Sequence, residues 1–237
     1  MRQPFTFCVR VPGRNKYICV RAHWRVVTKS WRSARRKDRY YRKAKREDYR
    51  SRAAYKLQQL DFKYDIISSG NIVVDLGASP GGWSQIALEQ VGKGGKVVAL
   101  DIDRFPPIEG VTFIRGDIRK EEVMAKLLEL LPEGADVVIS DMSPNISGNY
   151  SYDHALSIDL CENALRFASK VLKPGGNFVV KMFYGDMSKG FVSLARRSFH
   201  EVHVTHPEAS RPTSSEVYVI GLGFKTSRQS QKRFVLA

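Results

Sequence analysis

Ile72-Val73-Val74 is a run of three β-branched residues, followed without a break by Asp75, Leu76 and the turn Gly77-Ala78-Ser79-Pro80-Gly81-Gly82. A short apolar run without polar alternation is the pattern of a strand covered on both faces, as when helices pack on each side of a parallel sheet. The glycines that follow let a ligand approach bare backbone and aim the first N–H groups of a helix at it. This stretch confines the chain to α/β architectures with a small-molecule site at the end of the first sheet strand.

The spacing then narrows the ligand. A phosphate-binding P-loop requires a Gly-Lys-Ser/Thr ending, and Gly82 is followed by Trp83. The dinucleotide fingerprint requires glycine at its first, third and sixth positions, which Gly77, Ser79 and Gly82 fill only in part. Asp75 points the same way, because a carboxylate beside the turn repels a pyrophosphate and suits a ligand with positive charge. S-adenosylmethionine, with a sulfonium and an ammonium, meets that requirement.

Beyond the turn the pattern alternates. Strands are expected over 72–74, 95–101, 111–114, 135–140, 177–182, 201–205 and 216–221, and helices over 84–91, 121–131, 153–172 and 189–199, with Asp153 as a helix cap. Strands separated by helix-length segments imply a mostly parallel sheet with right-handed crossovers. The last two strands are joined by about ten residues without helical pattern, which predicts an antiparallel pair. A helix is expected over 48–60, where Arg52 and Lys56 share a face.

Charge is distributed unevenly. Residues 1–56 hold nineteen Lys and Arg against Asp38, Glu47 and Asp48, whereas residues 57–237 hold twenty basic and twenty-one acidic side chains. A basic head on a near-neutral body predicts a polyanionic partner, nucleic acid first, bound through phosphates and weakened by salt. Within that head, Trp31, Tyr40 and Tyr41 are placed to stack on unpaired bases. The expected organisation is a 1–28 extension with a strand-like alternation at 17–20, a basic RNA-binding segment over 29–60, a catalytic domain over 61–225 and a 226–237 tail. The odd set Cys8, Cys19 and Cys161 lacks zinc-ligand spacing and reads as free thiols. There is no run of about eighteen apolar residues and no leader pattern, so an intracellular protein without a membrane partner is expected.

In an open parallel sheet, ligands bind beyond the carboxyl ends of the strands. Those ends deliver Asp75 and Gly77, then Asp101 at the usual place for an acid that holds ribose hydroxyls, then Asp117 for an adenine amino group, then Asp141, then Lys181. An antiparallel last strand begins at the same edge and brings Glu216 beside Lys181. A lysine closing the apolar strand Phe178-Val179-Val180 must reach solvent or meet carboxylates, and Asp141 and Glu216 are its expected neighbours. His200, His203 and His206 recur every third residue but have no acid or cysteine spaced to complete a metal site, so no metal is expected.

These residues resemble the FtsJ/RrmJ family of ribosomal RNA ribose 2′-O-methyltransferases, of the RlmE type. The similarity is carried by Ser51-Arg52-Ala53-Ala54-Tyr55-Lys56-Leu57, the stretch from Asp75 to Gln85, Ser140-Asp141-Met142-Ser143-Pro144-Asn145, Val179-Val180-Lys181-Met182-Phe183 and Ser215-Glu216-Val217-Tyr218-Val219. Ser79 and Ser143 replace alanines common in the family, and residues 1–28 have no counterpart there. The resemblance implies a seven-stranded, Rossmann-like methyltransferase fold and a catalytic tetrad of Lys56, Asp141, Lys181 and Glu216. It also implies S-adenosylmethionine contacts at Gly81, Trp83, Asp101, Asp117 and Asp141. The implied activity is methylation of a uridine ribose 2′-hydroxyl in large-subunit ribosomal RNA by a cytoplasmic monomer. The same tetrad also serves relatives that modify transfer RNA or messenger RNA caps. A non-catalytic RNA-binding or ribosome-assembly protein is the alternative from another class.

Overall fold

The computed structural model describes residues 6–10, 17–21, 38–211 and 214–225. The chain forms two compact units, Met1–Arg42 and Lys43–Ala237. In the first, β1 (Thr6–Arg10) and β2 (Tyr17–Arg21) pair antiparallel, with Thr6 opposite Arg21. The strand expected at 17–20 is therefore one arm of a hairpin. The part of the basic run that holds Trp31, the tail 226–237 and the side chains of Cys8 and Cys19 lie outside the described residues. Helix α1 covers Arg39–Arg46 and carries Tyr40 and Tyr41.

Helix α2 spans Ala54–Tyr64, not 48–60. Gln85 explains the late start: its side chain accepts from Arg50 N–H (2.8 Å) and donates to the Asp48 carbonyl (3.0 Å), while Asp48 takes a positive φ of 55°. These backbone groups are satisfied by a tertiary contact, so the helix cannot use them. At the other end Asp61 accepts from Ile66 N–H and Ile67 N–H, which turns the chain toward the sheet.

The remaining elements are β3 (Ile72–Leu76), α3 (Gly82–Val91), β4 (Lys96–Asp101), β5 (Val111–Arg115), α4 (Glu121–Glu129), β6 (Ala135–Ser140), α5 (Tyr150–Val171), β7 (Leu172–Phe183), α6 (Ser188–Ser198), β8 (Phe199–Thr205) and β9 (Glu216–Phe224). They build one seven-stranded sheet in the order β5-β4-β3-β6-β7-β9-β8. The pairs of β3, β4, β5, β6 and β7 among themselves are parallel, and β9 runs antiparallel to both β7 and β8. This is the mostly parallel, doubly wound α/β fold with an antiparallel last strand.

Strand alternation sorts the core into two layers. Val74, Leu76, Val98, Val138, Phe178 and Val180 pack with residues of α4, α5 and α6. Val73, Val97, Val137, Ile139, Val179 and Ile220 pack with residues of α2 and α3. Burying each such side chain contributes roughly 1.5–3 kcal/mol, which makes a one-residue slip of any strand prohibitive. The fixed register decides where the polar residues at the strand ends point.

Helix α5 begins earlier than expected. Asn149 is its cap and accepts from Tyr152 N–H (3.2 Å), whereas Asp153 reaches back to Ser147 N–H (2.9 Å), Ser147 Oγ (2.7 Å) and Gly148 N–H (3.1 Å). Asp153 thus shapes the loop before the helix instead of starting it.

Candidate active site

Strand parity carries the site. Asp75, Asp141 and Lys181 each lie two residues beyond a side chain of the α2/α3 layer, namely Val73, Ile139 and Val179. All three therefore project to that layer at the carboxyl edge of the sheet. Lys181 stands opposite Tyr218 on β9, and Glu216 stands opposite Phe183.

Four charged residues form two bridges there. Lys181 Nζ lies 2.7 Å from the Asp141 carbonyl oxygen and 3.2 Å from Asp141 Oδ1. Lys56, from the first turn of α2, donates to Glu216 Oε2 at 2.9 Å. The side chains of Lys181 and Asp141 are only 6% and 16% exposed, so removing either partner strands a charge away from water, at a cost of about 3–5 kcal/mol. The expected neighbour pair is thus corrected in one respect: the carboxylate of Glu216 meets Lys56, and Tyr218 faces Lys181 instead. Tyr218 is not among the residues expected here, although its parity with Glu216 puts it on this face.

Tyr218 donates its hydroxyl to Asp141 Oδ1 (2.7 Å), its ring lies 5.6 Å from Lys56 Nζ, and the Trp83 ring packs against it at 5.7 Å. Burial, with Asp141 and Glu216 nearby, raises the Tyr218 phenol well above its usual range, so it remains a donor. Burial also works against the ionised form of Asp141, but Lys181, Lys56 and the Tyr218 hydroxyl outweigh it and hold the carboxyl below its ordinary value. Beneath Lys181, Cys161 is buried as a free thiol and donates to the Lys181 carbonyl (3.2 Å).

Beside this cluster a cavity of about 630 Å3 opens over the carboxyl ends of β3 to β6. Gly77, Asp101, Asp117 and Asp141, four of the anticipated residues, line it. So do Asp103 and Asp159, and the one lysine or arginine in the lining is Arg119. Asp101 accepts from Ser79 N–H (2.7 Å) and Asp103 N–H (2.8 Å), which fixes its carboxylate at the rim. Asp117 is held by Arg119, whose guanidinium lies 2.6 Å away and lowers the carboxyl below its usual range. Gly77 has φ +77°, and a Cβ there would come within 2.6 Å of the Met142 side chain and 2.9 Å of its backbone. Only glycine permits that approach.

The other three anticipated residues lie outside the cavity lining. Asp75 is fully buried under the turn, where Ser84 Oγ donates to Oδ2 at 2.6 Å and Oδ1 has no partner. Burial, reinforced by Asp141 and Asp101, pushes its carboxyl up to about 7. Its position in the sequence suggested direct contact with a cation, but parity sends it toward α3. Gly81 begins α3 with φ +109°, and the space a Cβ would need is taken by Ile108 and Arg50. Arg50 crosses the turn to donate to the carbonyls of Pro106 and Pro107. Trp83 donates to the Ala53 carbonyl (2.8 Å) and so fastens α2 to α3. Among the described residues no group of His, Cys, Asp and Glu is disposed to hold a metal, and His203 packs on Tyr64 beside Glu201. No helix among them is long and apolar enough to cross a membrane.

The cavity fits S-adenosylmethionine on chemical grounds. Its five carboxylates against one arginine favour a cation, and the glycine-bounded entrance admits close backbone contact. Comparison with known proteins agrees. Residues 49–224 match the model of FtsJ-like methyltransferases. The "Ribosomal RNA large subunit methyltransferase E" of Methanothrix thermoacetophila is 53% identical over 78% of this chain and 72% of its own length. The protein of the same name from Methanocaldococcus jannaschii is 50% identical over 81% of this chain and 80% of its own. A crystal structure of a Plasmodium falciparum ribosomal RNA methyltransferase superposes with a TM-score of 0.67 at 34% identity, over 74% of this chain and 98% of the other. Because the matched stretch contains the glycine turn, the acidic cavity and both lysine–carboxylate bridges, the chain belongs to the FtsJ-like methyltransferase family.

Proposed function

We propose that this protein methylates a ribose 2′-hydroxyl of large-subunit ribosomal RNA, on a uridine, in the cytoplasm. The observation that carries the reading is the pair of bridges made by the buried lysines, Lys181–Asp141 and Lys56–Glu216, at the rim of an acidic cavity. Methyltransferases of the FtsJ family use S-adenosylmethionine, which supplies an electrophilic methyl group on a sulfonium centre.

A ribose hydroxyl is a weak nucleophile, so the residues must align it and remove its proton as the new bond forms. Lys181 is the base in this reading. In its neutral form the amine has two N–H groups for the Asp141 carbonyl and carboxylate, which leaves the lone pair for the hydroxyl proton. Asp141 orients that amine through two oxygens and turns the remainder of its negative charge to the cavity. Lys56, fixed by Glu216, supplies a cation for the phosphate beside the reacting ribose. Asp101 and Asp117 hold the donor from the cavity side, and Asp75 supports the turn from below without touching it. The excess of positive charge in residues 1–56 supports a polyanionic substrate and gives the RNA its long-range attraction.

The deciding experiment offers the protein naked ribosomal RNA, transfer RNA and assembled large subunits with isotopically labelled S-adenosylmethionine, then maps the product. Label on the ribose oxygen of a large-subunit nucleotide is the expected result. Label on a base, or on transfer RNA in preference to both ribosomal substrates, overturns the proposal.

A further inference from the structure

Nine large apolar side chains stand exposed among the described residues, and five of them, Ile146, Tyr150, Tyr152, Tyr184 and Met187, lie on the segments leaving the carboxyl ends of β6 and β7. Isolated exposed apolar groups are ordinary, but a cluster at one edge of a site indicates contact with a partner.

This cluster is held in place. Tyr150 donates its hydroxyl to the Tyr184 carbonyl and stacks on His154, with ring centroids 6.3 Å apart and 12° between planes. His154 Nε2 accepts from Met187 N–H (3.0 Å), which leaves the proton on Nδ1 to be donated to the Phe183 carbonyl (3.0 Å). Gly185 lies so close to the His154 ring that a Cβ would come within 2.9 Å, and its N–H donates to Ser188 Oγ (2.8 Å). The chain between Phe183 and Ser188 is thus fastened by its backbone, while the side chains of Tyr184 and Met187 remain 55% and 50% exposed. Tyr184 is three residues from Lys181.

We infer that Tyr184, flanked by Tyr150 and Met187, is a stacking platform for an unpaired base adjacent to the methylated nucleotide. The inference rests on the proposed RNA ribose methylation and adds the recognition of the strand around the target. A 2′-hydroxyl reaches a buried amine only from a nucleotide splayed out of its helix, and splaying leaves neighbouring bases without stacking partners. A tyrosine face at the same carboxyl edge of the sheet as the amine replaces one such partner for any base. The residue between the platform and Met187 on the exposed side is Asp186, not a cation, which suits contact through base faces and not through phosphates.

The test compares Tyr184→Ala and Tyr184→Phe on an RNA that the unaltered protein methylates. Because the segment is anchored through the Tyr184 carbonyl, either variant keeps the Tyr150 hydrogen bond. Tyr184→Ala is expected to raise KM for RNA about tenfold, the loss of one stacked base. Its kcat and S-adenosylmethionine affinity should stay within about twofold, and the slope of log KM against log salt should not change. Tyr184→Phe should behave like the parent. An unchanged KM in Tyr184→Ala, or an equal loss in Tyr184→Phe, overturns the platform while leaving the activity assignment intact. Failure of the parent protein to methylate any RNA overturns the assignment on which it rests.

Discussion

The acidic cavity and the charged cluster share Asp141 and treat charge in opposite ways. In the cavity, carboxylates outnumber cations, and the arginine of the lining is tied to Asp117. In the cluster, Lys56 and Lys181 each meet a carboxylate, at 2.9 and 3.2 Å, and a phenol completes Asp141. An unbalanced acidic site selects a cation by its field. A balanced, largely buried set exerts little net field and instead fixes the position of an amine. In the proposed function this difference separates donor binding from proton transfer, although the two sites share Asp141.

Asp141→Asn breaks the comparison at its shared member and should have the largest effect. It weakens the hold on Lys181 and removes a cavity charge, so kcat should fall by about 10²–10⁴-fold while donor affinity also drops. Steady-state kinetics with calorimetry of S-adenosylmethionine binding check both halves. Loss of only one of them would show that the two sites do not share this residue.

Asp75→Asn sharpens the comparison by altering the support beneath both sites. The native carboxyl titrates at about 7 against an ordinary value of 3.8, so the folded state holds its proton more tightly than the unfolded state does. Stability contributed by Asp75 is therefore full below about pH 4 and is lost as the pH rises toward and past 7. The parent should lose on the order of 4 kcal/mol more than Asp75→Asn between pH 4 and 8, measured by denaturant unfolding at each pH. Parallel stability profiles would contradict the assignment.

A smaller effect is expected from Asp101→Asn, which touches the cavity alone. Donor affinity should fall about tenfold, the worth of a hydrogen bond to a charged group, with kcat at saturating donor within about threefold of the parent. A kcat loss as large as that of Asp141→Asn would erase the distinction between the two sites.

Much of this division was legible in the sequence, because side-chain parity is a property of sequence once a strand is recognised. Val73, Ile139 and Val179 predict the face of Asp75, Asp141 and Lys181, and apolar burial locks that face. What could not be read were choices made by tertiary partners. The register of β9 against β7 put Tyr218, not Glu216, across from Lys181. The side chain of Gln85 captured the backbone of Asp48 and Arg50 and delayed α2, and Asn149 took the cap expected of Asp153. Asp75 shows the limit most clearly: its residue type and place suggested a ligand contact, but its carboxylate is buried beneath the turn against α3, where Ser84 Oγ donates to it.

The most direct test of the account is single-turnover methyl transfer by Lys181→Ala with S-adenosylmethionine saturating and RNA bound. The account predicts that the donor binds within about threefold of the parent while transfer to the ribose falls by at least about 10²-fold. Transfer at a rate near the parent's, with the product still on the 2′-oxygen, would contradict the assignment of proton removal to this amine.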